Sequence, residues 1–98
     1  MTRIIGGIAG SRTLASPAKV TRPTSDRIRE SIFNRLEALN LINGSDVLDL
    51  YAGTGALGFE AASRGARSLL LVENNKQALG GIITNQRMIK AALQKEEL

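Results

Sequence analysis

Two acidic residues and a glycine-rich segment in the middle of this chain have the types and spacing of a nucleoside-cofactor site. Gly53 to Gly58 reads GTGALG and fits the pattern G-x-G-x-x-G, in which small residues let the backbone approach a ligand closely. Glu73 follows fifteen residues after Gly58, at a distance typical of the acid that accepts hydrogen bonds from ribose hydroxyls. We therefore expect the chain to bind an adenosine-containing molecule.

Asp49 bears on which cofactor this segment holds. It lies four residues before Gly53, so its carboxylate would repel a pyrophosphate bound at the turn and the following helix N-terminus. S-adenosylmethionine instead carries a positive α-ammonium and a sulfonium, which a carboxylate attracts. The sequence thus favours S-adenosylmethionine, with Asp49, Gly53, Gly55 and Glu73 as candidate cofactor-binding residues. Simpler interpretations stay open: a structural glycine turn, a loop-capping Asp49 and a solvated Glu73.

These residues need a strand, a turn, a helix and a second strand to position them. The apolar pattern predicts a strand over residues 46–51, a helix over 56–64 capped by Gly65, a strand over 68–73 and a helix from about Lys76. Gly80 and Gly81 weaken that last helix, and fraying or a bend is expected there. Strand, helix and strand in this order predict a parallel sheet with a right-handed crossover.

Both predicted strands are mostly apolar and have the character of buried strands, as in a parallel sheet that is covered on both faces. Two strands and their helices do not complete such a sheet. The predicted fold class is therefore α/β, the first half of a doubly wound, Rossmann-like sheet. Its exposed strand edges predict poor stability or self-association in isolation.

The N-terminal third differs from the rest in charge. Residues 1–35 hold seven basic and two acidic residues, a net charge of +5, whereas residues 36–98 hold six basic and seven acidic ones. Residues 3–14 predict a β-hairpin with Gly10 and Ser11 at the turn, and a helix is expected over residues 25–39. A basic module of this kind indicates a polyanion partner, RNA or DNA, with an ordinary solvated surface as the alternative.

Missing residue types exclude several classes of function. The chain has no cysteine and no histidine, which excludes disulfides, thiolate metal sites and Ser-His-Asp catalysis. It has neither a long apolar run nor the apolar core of a signal peptide at its start. We expect a soluble cytoplasmic protein with no metal and no membrane partner.

A family resemblance sharpens these expectations. Residues 49–58 resemble motif I of the class I S-adenosylmethionine-dependent methyltransferases. Residues 21–34, TRPTSDRIRESIFN, resemble the signature of the bacterial 16S rRNA guanine-N2 methyltransferases, and the glycine-rich start of the chain is similar to that family's N-terminal hairpin. The resemblance extends to about Asn85.

The resemblance implies methyl transfer to the exocyclic amine of a guanine, in 16S rRNA or the assembling small ribosomal subunit. Residues 1–40 would form a basic, RNA-facing extension, and residues 41–98 part of a cofactor domain. Thr24 would lie in the segment that closes over the methionine end of the cofactor. The residues that fall where RNA would lie are Arg3, Arg12, Arg22 and Arg27, with salt bridging or solvation as the alternative.

The sequence departs from that family in one respect. Such enzymes resemble one another in a later motif, Asn or Asp followed by Pro-Pro and an aromatic residue, which holds the target amine. The only prolines here are Pro17 and Pro23, so no catalytic residue is predicted in the chain. We expect an inactive N-terminal fragment, with a degraded copy or one half of a two-chain enzyme as the alternatives. A nicotinamide or flavin oxidoreductase half and a non-catalytic RNA-binding fragment remain the rival functions.

Overall fold

The computed structural model describes residues 2–15, 25–50 and 52–97. Its elements follow in the order α1 (Asp26–Ala38), β1 (Asp46–Leu50), α2 (Ala56–Ser63), β2 (Ser68–Val72) and α3 (Lys76–Glu97). The predicted α/β order is confirmed, and the element ends agree with the predicted ones to within a residue or two wherever both are defined.

Local signals explain where the helices begin. The Ser25 side chain accepts a hydrogen bond from the backbone N–H of Ile28 and caps α1. Asn75 does the same for α3, because its side-chain oxygen accepts from the N–H of Ala78 at 3.0 Å. Helix α3 continues through Gly80 and Gly81, so the fraying expected there is not seen. Buried residues on both sides of the glycines, Ala78 and Ile82, hold that part of the helix on the core.

Strands β1 and β2 form a parallel pair in which Asp46 lies opposite Ser68 and Leu50 opposite Val72. Leu69 and Leu71 project from β2 into the core formed with α2 and α3. The other face carries exposed apolar side chains with 44–62% of their surface accessible, namely Leu48, Leu50, Leu70 and Val72. The described chain thus covers only one face of its sheet.

The predicted N-terminal β-hairpin is wrong. Arg3 and Thr13 form an isolated antiparallel bridge, and no strand is assigned within residues 2–15. The turn is also broader than predicted, extending over residues 6–11. Hydrogen bonds do join the two ends of this segment, because the N–H of Ile4 donates to the carbonyl of Arg12 at 2.9 Å and that of Leu14 donates to the carbonyl of Thr2 at 2.8 Å. The pairing goes no further because the next residues bind to α2. The N–H groups of Ile5 and Gly6 donate to the Glu60 carboxylate at 2.9 Å each, and that of Ala9 donates to the Ser63 hydroxyl at 2.8 Å.

The N-terminal residues share a core with the sheet and its helices. Buried Ile4 and Leu14 belong to the same apolar cluster as Phe59 and Ile82. The boundary predicted at residue 40 stays a prediction, but the two parts pack on one another. Among the helices that the structure describes, none has the length and apolar character needed to cross a membrane.

Candidate cofactor-binding site

A tight glycine turn connects β1 to α2. Gly53 and Gly55 have φ angles of 60° and 83°, values that glycine adopts readily and other residues rarely. The N–H of Gly55 donates to the carbonyl of Ala52 at 2.8 Å, and the N–H of Ala52 donates to Val72 at 2.9 Å. The turn is therefore built on the carboxyl ends of both strands, the edge at which parallel α/β sheets bind ligands.

Packing alone requires two glycines of this segment. A Cβ atom at Gly55 would lie 2.4 Å from Cε2 of Phe59, and one at Gly58 would lie 2.5 Å from Cδ2 of Leu71. Gly58 thus allows α2 to approach β2, and Gly55 makes room for an aromatic ring of the helix that it begins. The close packing of a helix against a strand therefore accounts for two of the three glycines in the G-x-G-x-x-G pattern.

Glu73 lies at the end of β2 and holds the glycine turn. Its Oε1 accepts from the N–H of Gly53 at 2.8 Å, and its Oε2 accepts from the N–H of Asn75 at 3.0 Å. These two hydrogen bonds hold the pKa of Glu73 below its ordinary value, and the one from Gly53 has the larger effect. Each carboxylate oxygen has two lone pairs, so Glu73 can still accept ribose hydroxyls. It is a bound, ionised acceptor and not only a solvated acid.

Asp49 lies in β1 and faces the N-terminus of α2. Its Oδ2 accepts from the N–H of Gly58 at 3.1 Å, a favourable place for negative charge because the helix dipole is positive there. Burial raises the pKa of Asp49, the Gly58 hydrogen bond opposes that rise, and the charge of Glu73 adds to it. The charge of Glu73 thus disfavours the ionised form of Asp49, and a cationic group near Asp49 would favour it.

The cavities beside these carboxylates are small. One of about 190 Å³ is lined by Leu50, Val72, Glu73 and Asn74. Another, of about 220 Å³, includes Asp49 among mostly apolar side chains. Sites for small molecules usually have volumes of roughly 300–1,000 Å³. Each cavity is therefore smaller than an ordinary small-molecule site, and Asp49 and Glu73 line different ones.

The arginines predicted to contact RNA lie in different surroundings. Arg3 pairs with Asp26 at 3.2 Å, Arg12 donates to the carbonyl of Ile8 at 3.3 Å, and Arg27 is exposed on α1. Arg22 and the predicted cofactor residue Thr24 lie outside the described residues. Salt bridging, one of the alternatives, thus applies to Arg3.

Sequence reasoning missed a buried charge cluster centred on Glu60. This side chain is fully buried, and its carboxylate pairs with Arg64 at 2.8 Å and with Arg29 at 3.8 Å. Arg29 also pairs with Asp26 at 2.8 Å, and the Arg64 guanidinium stacks 5.6 Å from the ring centre of Phe33. One signal in the sequence could have indicated this cluster. Glu60 is the only charged residue of the short helix α2, and Arg64 follows it four positions later. Over the residues that the structure describes, no metal-binding group of three or more acidic, histidine or cysteine side chains occurs.

The fold and the site define an α/β protein that places two strand-end acids around a glycine turn. The chain belongs to the family described as Conserved hypothetical protein 95, whose model matches residues 2–98. This finding confirms the family expected from the sequence motifs.

Similar proteins extend beyond this chain. It is 42% identical over 90 residues to ribosomal RNA small subunit methyltransferase D of Escherichia coli K12, covering 91% of this chain and 44% of that protein. The Haemophilus influenzae protein of the same name is 36% identical over 97 residues, covering 98% and 49%. A hypothetical protein of Thermus thermophilus has a similar structure, with a TM-score of 0.82 at 37% identity, covering 92% of this chain and 51% of that one. The chain thus spans about half the length of these relatives.

Proposed function

We propose that this chain is the cofactor-binding half of a 16S rRNA guanine-N2 methyltransferase and that it binds S-adenosylmethionine. The observation that carries the proposal is the placement of Asp49 and Glu73. Asp49 lies in β1 and Glu73 directly follows the adjacent parallel strand β2, and each accepts a backbone N–H from the glycine turn or the helix behind it. The relatives named as rRNA methyltransferases, and the family to which the chain belongs, support the same conclusion.

The side chains present fit the two ends of this cofactor. Asp49 would attract the α-ammonium, since it is a carboxylate already repelled by a second one, and Glu73 would accept the ribose hydroxyls. Gly53 and Gly55 keep the turn free of side chains beside the ligand. S-adenosylmethionine would supply an electrophilic methyl group on its sulfonium. Thr24 remains a predicted contact to its methionine end.

A nicotinamide or flavin dinucleotide fits the same turn less well. A pyrophosphate would need the N–H groups at the start of α2. Here the N–H of Gly58 donates to Asp49 at 3.1 Å, and that of Ala56 donates to the Thr54 hydroxyl at 3.3 Å. A diphosphate would therefore compete with side chains of the chain itself and meet a carboxylate of like charge. A cationic ligand meets neither obstacle.

RNA contact is assigned to the basic N-terminal residues Arg3, Arg12, Arg22 and Arg27, in a protein that acts in the cytoplasm. Guanine methylation also requires groups that hold the target amine beside the methyl group. We assign no catalytic residue in this chain, because the Asn/Asp-Pro-Pro-aromatic motif is absent from its sequence. Its part in the reaction is to bind the cofactor and rRNA.

Titration calorimetry with S-adenosylhomocysteine tests the cofactor assignment. Asp49→Asn keeps an oxygen for the Gly58 N–H and removes the charge, so affinity should fall about 10- to 100-fold, the equivalent of a hydrogen bond to a charged group. Asp46→Asn is the matched control. It removes an acid at the opposite end of β1 that pairs with Arg67, and it should leave the affinity unchanged.

Two outcomes would contradict the proposal. One is NAD binding by a chain that gives no response to S-adenosylhomocysteine. The other is an equal affinity for S-adenosylhomocysteine in wild type and Asp49→Asn. Binding of a small rRNA fragment without any cofactor binding would instead favour a non-catalytic RNA-binding module.

A further inference from the structure

Asn85 is a buried polar residue in the middle of α3, with 1% of its surface accessible. Its Oδ1 accepts from the N–H of Ala15 at 2.6 Å, and its Nδ2 donates to the carbonyl of Ala15 at 3.0 Å. The same Nδ2 donates to the carbonyl of Thr54 at 3.0 Å. One side chain therefore joins two backbone segments that are 39 residues apart in the sequence.

Only a short carboxamide can make this set of contacts. Ala15 offers both a donor and an acceptor, as it would to a neighbouring strand, and Thr54 offers an acceptor. An aspartate carboxylate has no donor for either carbonyl, and a leucine of similar size has no polar group. Asn85 shares the core-facing side of α3 with Ile82 and Ile89, where leaving a polar group unsatisfied is costly.

The two segments that Asn85 joins are those assigned to the cofactor and to RNA. Thr54 lies between Gly53, whose N–H is held by Glu73, and Gly55, the N-cap of α2. Fixing the Thr54 carbonyl thus fixes the peptide between the two glycines. Ala15 is the last described residue before the connection to α1, the connection that holds the predicted contacts Arg22 and Thr24.

We propose that Asn85 is a positioning residue that couples the glycine turn to the N-terminal segment, so that cofactor binding at the turn changes the order of the backbone at Ala15. The assignment of the ligand rests on the proposed function. The mechanical link between the two segments does not, and it can be measured without ligand.

Amide hydrogen exchange on the ligand-free chain tests that link. Asn85→Ala should speed exchange at least tenfold both at Ala15, which loses its acceptor, and at Gly55, which does not touch Asn85 through its own N–H. The amide of Ile89, within α3, should exchange as in wild type. Gln86→Ala is the matched control, because it removes an exposed amide from the next position. Unchanged exchange at Gly55 in a folded Asn85→Ala chain overturns the proposal.

A second variant separates the two contacts. Asn85→Asp keeps an oxygen for the Ala15 N–H and loses both donated hydrogen bonds, so Gly55 should be loosened more than Ala15. Equal effects at the two amides would contradict the geometry.

Adding saturating S-adenosylhomocysteine tests the functional coupling. Exchange at Ala15 should slow several-fold in wild type and Gln86→Ala, but not in the Asn85 variants. An unresponsive Ala15 in a wild-type chain that binds the ligand overturns the coupling. Failure of wild type to bind the ligand at all refutes the proposed function instead, and the ligand-free exchange then decides the link by itself.

Discussion

Removing the charge of Glu60 should destabilise the chain far more than removing any exposed charge. Glu60 is fully buried and meets two buried guanidinium groups, those of Arg29 and Arg64. Its two oxygens also accept the N–H groups of Ile5 and Gly6. The substitution Glu60→Gln keeps the shape and one acceptor oxygen. It removes the negative charge that balances the two buried guanidinium groups. It also places the amide NH₂ of the glutamine against a group that itself donates a hydrogen bond.

The expected loss follows from that geometry. Breaking a buried ion pair by removing one partner costs about 3–5 kcal/mol, a large fraction of the roughly 5–15 kcal/mol that stabilises an ordinary domain. Glu37→Gln is the matched control, because Glu37 pairs with the same Arg64 at 3.3 Å while its side chain is 48% exposed. An exposed pair of this kind contributes about 1 kcal/mol or less.

Urea unfolding followed by far-ultraviolet circular dichroism measures both losses. With a slope of about 1–3 kcal/mol per molar urea, Glu60→Gln should lower the midpoint by about 1 M or more, and Glu37→Gln should lower it only slightly. Equal midpoints for the two variants would refute the reasoning, since they would show that burial does not set the strength of the pairs made by Arg64.

Three further predictions concern the turn, the site and the sheet. Gly55→Ala should lower the unfolding free energy more than Gly44→Ala in the same urea assay. Both glycines have positive φ, but only the Cβ at Gly55 would clash with Phe59. Burial raises the pKa of Asp49 above its ordinary value of 3.8 in the native state. Between the ordinary and the native pKa, the native state therefore binds more protons than the unfolded state, and the contribution of Asp49 to the free energy of unfolding falls as the pH rises. The free energy of unfolding of Asp49→Asn, measured at several pH values, should therefore rise relative to that of wild type from pH 3.8 upward. A difference between the two proteins that does not change with pH would contradict the prediction. Leu70→Lys should reduce self-association in sedimentation experiments, because Leu70 is 62% exposed on the open sheet face. Unchanged association would show that another surface is responsible.

The elements that sequence predicted well are those fixed by neighbours in the chain. The apolar runs of β1 and β2 and the glycine turn are local signals, and each appears in the structure where it was expected. The predicted hairpin strands do not form because only residues 2–4 and 12–14 pair with one another, and the N–H groups between them donate in part to partners that are not local. Glu60 and Ser63 lie more than fifty residues away in sequence, and no period-2 pattern reports that a distant helix will take the strand's N–H groups.

The same limit applies to the site. Sequence placed Asp49 and Glu73 at strand ends, but it left open whether each is structural or binds a ligand. The structure shows that each accepts backbone N–H groups, which depends on the path of the turn. The buried pairing of Glu60 was hidden for a related reason, because a charged residue on a helix is usually solvated and becomes buried here only when residues 5–6 cover it.

The glycine turn is held by side chains from three different elements, which bears on how it would bind a ligand. Glu73 follows β2 and holds Gly53, Asn85 in α3 holds Thr54, and Asp49 in β1 holds Gly58 in the first turn of the helix that follows. These contacts limit the conformations that the turn can adopt without a ligand, which lowers the entropic cost of binding, and further ordering of the turn by a ligand would reach Ala15 through Asn85. Because Asn85 also holds Ala15, the N-terminal segment is part of the same arrangement. The cofactor-binding and RNA-binding functions proposed here would therefore depend on one shared set of buried polar contacts, and not on two modules that act separately.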